Sequence, residues 1–388
     1  MDTIIPLRGA ERVPLRPGLF FGSNDREGAE TAATQLITLF LHEAAVGGCR
    51  DLQVWLAEDG TVTVHSADRG MLLEDTLVEG IPPWKQLFCE LYVAARNERT
   101  PGGDRDRSHR ELYGEFPTPL YGAEDVCYPW ISALQCVAAQ MEVTAVRDGL
   151  RRELRFAAGD PVGGLQKTPC TDASYTRMRF TPDPAVFSDT HIRAEALAAV
   201  LQAGAVTIPG LVCTLTEEAT GRVQSFFYPE GVVSLTETVG TAVTSTYFRE
   251  RESTGRDRYN RPEYSARVRL ALRFVPEGGE TRCYHNLRRL DRGGRPLRAV
   301  WDKVVTYLNW RLERDGKQEL TRETVAPHCV LVLESACTDG FSRWESARPE
   351  ALSNPMMTDM AADLVGEDFG YFVKQNQEAL EALFNGEP

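Results

Sequence analysis

HEAAVGGCRDLQVWLAEDGTVTVHSADRGM, residues 42–71, is the stretch whose reading decides the fold. Gly47-Gly48 gives a helix its stop. Leu52-Gln53-Val54-Trp55-Leu56 reads as a strand, and Asp59-Gly60 is a type I′ hairpin signal. A second strand follows through Val62-Thr63-Val64-His65, and the loop after it ends in Arg69-Gly70. Helix, strand, tight turn, strand and glycine loop together suit the floor of a nucleotide pocket. Such a floor needs a buried acceptor for a base amino group, and the loop offers Ser66, Ala67 and Asp68.

The chain is 388 residues long, which predicts two domains or three. Apolar residues make up 42%, enough for real cores, and no apolar run approaches the length of a membrane helix. The N-terminus MDTIIPLRGAERVPLRPG lacks the basic-then-apolar layout of a signal peptide, so a cytoplasmic location is the expectation. Cysteines stand at 49, 89, 127, 136, 170, 213, 283, 329 and 337, with no C-x-x-C pair. Reduced core thiols are expected rather than a disulfide framework or zinc site. The six histidines are scattered and predict no metal centre.

Net charge is −13, a field that repels nucleic acid, so direct DNA binding by this chain alone is not expected. The basic clusters are local, at 96–110, 248–254 and 286–298. The first two read as solvated loops. The third, NLRRLDRGGRPLR, is purer and could touch phosphate.

Apolar spacing predicts helices over 26–47, 83–97, 129–140, 190–203 and 297–314, and a C-terminal helix over about 356–385. Alternation predicts hairpins at 51–65 and 141–156, the second turning at Asp148-Gly149, and strands at 174–181, 211–217, 222–229, 241–250, 265–275 and 327–335. Residues 98–122 lack periodicity and read as a loop. Strands and helices segregate unevenly in both halves, which predicts two α+β domains, 1–236 and 237–388, with the seam near 230–240.

Five motifs in order then resemble one family. They are LRPGLFFG (15–22), the 42–71 stretch, ISALQCVAAQMEVTAVRDGLRRELRF (131–156), YTRMRFTPDPAVF (175–187) and NLRRLDRGGRPL (286–297). Together they resemble the N-terminal ATPase and transducer region of the gyrase B and topoisomerase IV B subunits, which are grouped with Hsp90, MutL and the histidine kinases. The resemblance implies a two-layer sheet-and-helix ATPase-clamp domain followed by a ribosomal-S5-like α+β transducer domain. It also implies that the chain carries this part alone, without the region that works with the DNA-cleaving subunit, and with a short N-terminal arm, MDTIIP.

Carried over position by position, the resemblance implies lost chemistry. The family's catalytic glutamate matches Gln35, which cannot take a proton at neutral pH. The asparagine that holds Mg²⁺, one helical turn later, matches Leu39, which has no ligand atom. The adenine-binding aspartate matches Ser66. The phosphate-cradling glycine loop matches Tyr121–Cys127, where Gly122 remains and Glu124-Asp125 would stand against polyphosphate. The transducer lysine falls near Ser346, with Arg343 or Arg348 as substitutes. Glu43 and Arg69 match a helix–loop pair read as a structural ion pair. Gly70 keeps a sharp turn, and Arg147 and Thr176 match residues flanking the adenine pocket.

The expectation is therefore a gyrase-B-like pseudo-ATPase with a degenerate nucleotide pocket (Ser66, Arg69, Gly70, Gly122, Arg147, Thr176). It would have no cofactor, no metal and no membrane span, and would act on a protein partner, either itself or a topoisomerase subunit. Two alternatives stay open. One is a divergent ATP- and Mg²⁺-using enzyme with Glu43 or Glu124 as base. The other is a pocket repurposed for a different ligand, cationic given Glu124 and Asp125. No G-x-S-x-G or P-loop motif supports other enzyme classes.

Overall fold

The computed structural model describes residues 13–45, 47–68, 70–71, 73, 82–89, 128–255, 264–313, 318–337, 344–345 and 350–385. They form two compact α+β units. The first takes in the described residues up to Gly204 and Leu211–Phe227; the second takes in Ala205–Gly210 and the described residues from Tyr228 on.

In the first unit, a single turn α1 (Gly18–Phe21) leads into α2 (Arg26–Ala45). Asp25 starts α2: its carboxylate accepts from Glu27 N–H at 2.9 Å and its carbonyl from Ala29 N–H at 3.1 Å. Gly47 and Gly48 end it, donating to Ala44 O and Glu43 O at 2.9 Å each, the paired bonds of a Schellman stop. Short helices α3 (Pro83–Cys89) and α4 (Tyr128–Cys136) follow, then α5 (Ala194–Thr207).

Among the described residues the sheet of this unit has nine strands: β1 (Asp51–Leu56), β2 (Val62–Ser66), β3 (Ala138–Arg147), β4 (Leu150–Ala157), β5 (Asp160–Pro161), β6 (Gln166–Pro169), β7 (Tyr175–Pro182), β8 (Val212–Glu217) and β9 (Arg222–Phe227). Their order is β5-β4-β3-β7-β2-β1-β8-β9, with β6 also on β4. The β1–β8 pair is parallel and the other pairs are antiparallel. Alternation buries one face, with Leu52, Val54, Val62, Val64, Met178 and Phe180 inward. Gly204 of α5 lies so close to Leu41 of α2 that a Cβ there would fall 2.4 Å from its Cδ2.

The second unit opens with α6 (Val232–Glu237) and holds a five-stranded sheet ordered β10-β11-β15-β12-β13. These are Tyr247–Gly255, Tyr264–Phe274, Cys329–Cys337, Thr281–His285 and Arg288–Leu290 respectively. Strands β14 (Gly293–Gly294) and β16 (Ala351–Leu352) pair separately. Helix α7 (Arg295–Arg311) buries Leu297, Val300, Trp301, Val304 and Leu308, a helical-period stripe, against this core. Helix α8 (Arg322–Val325) precedes β15, and α9 (Pro355–Asp363), α10 (Glu367–Gln375) and α11 (Gln377–Asn385) close the unit.

A buried group of charges in the second unit links neighbouring strands. Glu334 of β15 is wholly enclosed, with Arg269 Nε of β11 at 2.8 Å and Arg267 at 3.6 Å. Arg269 also donates to Thr207 O, in the same unit, at 2.8 Å. Burial alone would raise the Glu334 carboxyl; the charges of Arg269 and Arg267 outweigh that and hold it below the usual carboxylate range.

Several expectations are corrected. The β1–β2 connection is no type I′ turn, because Gly60 alone has positive φ (81°) and Asp59 does not. The I′ signature sits at Asp148-Gly149 (53°, 71°), and also at Ala158-Gly159 and Asn286-Leu287. The 129–140 helix stops at Cys136, since Ala138 already pairs with Pro182. Residues 241–246 are not strand; β10 begins at Tyr247. The C-terminal helix is broken into three at Gly366 and Asn376.

Candidate functional site

The loop after β2 is built around Asp68, whereas matching by position points to Ser66. Asp68 is 8% exposed. Its Oδ1 accepts from Gly70 N–H at 2.7 Å and from the Thr176 hydroxyl at 2.9 Å; its Oδ2 accepts from the Ser66 hydroxyl at 3.0 Å. Thr176 in turn accepts from Met71 N–H at 2.9 Å. β2 and β7 are antiparallel neighbours with Ser66 opposite Thr176, so the ladder register brings these side chains together. The Ser66 hydroxyl thus donates to its own loop. Cys49 lies beside this cluster, donates to Asp51 O at 3.1 Å, and burial pushes its thiol up to about 11.

Gly70 has φ +76°, and a Cβ there would fall 2.1 Å from Val146 O. Glycine is required both for the left-handed backbone and for the close approach. Arg147 reaches back to Gly70 O at 3.5 Å and lies 3.4 Å from Asp148. Ser66, Gly70, Arg147 and Thr176 therefore converge, with Asp68 at their centre. An Asp-x-Gly after a strand is the sequence signal for this turn, because an aspartate side chain bonds the backbone two residues on.

On α2, Gln35 is half-buried. Its Nε2 lies 3.5 Å from Phe20 O, and its Oε1 is buried with no hydrogen-bond partner among the described residues. Leu39, one turn later, is 1% exposed within the core. It gives a magnesium ion no donor, so the residues on this helix do not fit the metal implied by the resemblance. Glu43 is fully buried at the helix end, where a Cβ on Gly48 would fall 1.9 Å from its carboxylate. Arg69, Gly122, Glu124, Asp125, the 98–122 loop, Arg343, Ser346 and Arg348 lie outside the described residues. Among the described residues no group of three His, Cys, Asp or Glu is placed to hold a metal, and no helix is long and apolar enough to cross a membrane.

No model of a known protein family matches the chain. Its sequence is 25% identical to the B subunit of DNA topoisomerase 4 from Enterococcus faecalis over 97% of this chain and 53% of that protein. It is 26% identical to the Escherichia coli protein of that name over 98% of this chain and 57% of that one. The B subunit of DNA gyrase from Thermotoga maritima is 28% identical over 60% of this chain and 34% of its own length. The chain spans about half the length of the topoisomerase relatives. The fold is that of the 43K ATPase domain of Thermus thermophilus gyrase B, solved with an aminocoumarin (TM-score 0.73, 18% identity, 98% of this chain, 93% of that one). The B subunit of the DNA gyrase from Myxococcus xanthus gives a TM-score of 0.69 at 17% identity, over 97% of this chain and 99% of that one. The chain is a homologue of the B subunits of DNA topoisomerase IV and DNA gyrase, over the part of them that it covers.

Proposed function

We propose that this gyrase-B-like chain does not turn over ATP and acts through protein contacts, as a modulator of a type II topoisomerase. The observation that supports this best is α2. An amide stands at Gln35, where the family resemblance implies a base, and a buried leucine stands one turn on at Leu39. An amide takes no proton from an attacking water at neutral pH. The curated relatives are themselves B subunits, parts of larger assemblies, which supports a protein partner. The test is phosphate release from ATP with Mg²⁺ by the purified chain. The expected result is no release above background. Release that Gln35→Ala abolishes overturns the reading.

A second reading is favoured by Asp68. Its network with Thr176, Ser66 and Gly70 forms a buried carboxylate floor of the kind that receives a base amino group. On this reading the pocket binds an adenine nucleotide without hydrolysing it. A thermal shift with ADP that Asp68→Asn removes supports it; no shift at millimolar nucleotide rejects it.

A further inference from the structure

The nine-stranded sheet buries one face, so the alternate residues of each strand look the other way. Residues opposite each other in a ladder share a face. The register sets Gln53 of β1 opposite His65 of β2, Trp55 opposite Thr63, and His65 opposite Arg177 of β7. Their neighbours Leu52, Val54, Val62, Val64 and Met178 are inward, so all five of these residues point outward. Tyr175, two residues before Arg177, joins them. Its ring centroid lies 5.1 Å from that of His65, and the Trp55 centroid lies 6.4 Å from His65. Three partly exposed rings thus cross the neighbouring strands β7, β2 and β1 in one row, with exposed Arg177 beside them.

The chemistry of the row is specific. Burial, and after it the charge of Arg177, lowers the His65 imidazole below its ordinary range, so the rings are uncharged at neutral pH. Among the described residues, no hydrogen bond engages the Trp55 Nε1–H, the Thr63 hydroxyl or the Gln53 side-chain amide, and Arg177 forms no ion pair. The face therefore offers uncommitted donors and one uncommitted positive charge. Its rings do not lie in one plane: Trp55 meets His65 at 75°, and His65 meets Tyr175 at 35°.

We propose that this row docks a proline-rich segment of a protein partner, held as a polyproline II helix with an acidic residue at one end. Such a segment is recognised by aromatic-lined surfaces, and its conformation is set before binding. Proline has no N–H, so the segment presents bare carbonyl acceptors to Trp55, Thr63 and Gln53. Proline rings fill the angles between aromatic rings that are not coplanar. The acidic residue supplies the counter-charge that Arg177 lacks, through a charge-assisted bond to its guanidinium. A single-stranded nucleic acid suits the face less well: bases stack on open ring faces, which a 75° crossing does not present, and the net charge of −13 repels phosphate. A segment that adds a strand needs the rim of a sheet, whereas β2 lies between β7 and β1. The inference names the partner's chemistry for the protein-contact half of the proposed function and rests on that half alone.

The test is fluorescence anisotropy of labelled probes with the full chain, with circular dichroism as the check on folding. The probe is a synthetic octaproline ending in two glutamates. The comparisons are octaproline ending in two lysines, a glycine–serine peptide of the same length ending in two glutamates, and an oligothymidylate. The expected result is micromolar binding of the first and binding weaker by about tenfold or more for the other three. Trp55→Ala and Tyr175→Ala should each weaken the first by about tenfold. Arg177→Glu, at an exposed position, should reverse the order of the two proline peptides, which a loss of folding would not do. Absence of binding at millimolar probe, equal binding of the glycine–serine peptide or the oligothymidylate, unchanged binding in both ring variants, or an unreversed order in Arg177→Glu overturns the inference. ATP hydrolysis on the same preparations separates the two claims. No peptide binding without turnover removes only the docking row, and peptide binding by a chain that hydrolyses ATP removes only the proposed lack of turnover.

Discussion

The Thr176 hydroxyl donates to Asp68 Oδ1 at 2.9 Å across 108 residues of sequence, and the same oxygen of Thr176 receives the Met71 N–H. One threonine thus fixes both the carboxylate and the chain that leaves it. Replacing it with valine strands a buried N–H and strips the carboxylate of a donor. Thr176→Val should lower unfolding stability by about 1–3 kcal/mol, the cost of unsatisfied buried groups. Thr176→Ser should recover most of it. Urea unfolding of the three proteins makes the comparison; equal midpoints for valine and serine would count against the network.

Gly70 and Gly221 both have positive φ, 76° and 68°, but differ in their surroundings. A Cβ at Gly221 meets nothing within 4 Å, whereas one at Gly70 meets Val146 O at 2.1 Å. Gly221→Ala should cost roughly 1 kcal/mol from backbone strain alone. Gly70→Ala should cost clearly more, because a carbonyl of β3 must also move. Paired thermal melts decide it.

Glu334 contributes to the acid limb of stability. Its folded carboxyl is held below its unfolded value, so its contribution is fully present above the ordinary glutamate range. That contribution fades as pH falls from the unfolded value through the lower folded one. Glu334→Ala should cost about 3–5 kcal/mol at neutral pH, since two guanidinium groups lose their counter-charge. Changing Arg269→Met and Glu334→Leu together should cost less than the single change. A stability–pH curve with the same acid slope in Glu334→Gln as in the natural chain would sink the assignment.

Leu39 offers Mg²⁺ no ligand. Adding Mg²⁺ should therefore leave any ATP-induced change in melting temperature as it is without the ion. A shift that requires Mg²⁺ contradicts the proposed loss of the metal.

Local signals carried much of the fold. The Asp25 start and Gly47-Gly48 stop of α2 are chemical, and so is the Asp148-Gly149 turn, where short polar or absent side chains tolerate positive φ. Tertiary pairing overrode the rest. Residues 137–140 carry a helical pattern, yet Ala138 is drawn onto β7. Asn286-Leu287 adopts a turn that its leucine would not choose alone. In the site, matching by position leads to Ser66, and the loop's hydrogen bonds gather two residues further on, at Asp68, which alternation and spacing do not single out.

The described cysteines are free, and six of the eight are buried: Cys49, Cys136, Cys213, Cys283, Cys329 and Cys337. Burial pushes the Cys136 and Cys283 thiols to about 12, so these sulfurs meet a reagent as protonated, enclosed groups. Cys49 and Cys213 sit in the first unit and Cys283 and Cys329 in the second. The molecule therefore carries its own set of opening gauges: the order in which a thiol dye reaches these positions under mild denaturant reports which unit loosens first, without any label being engineered in.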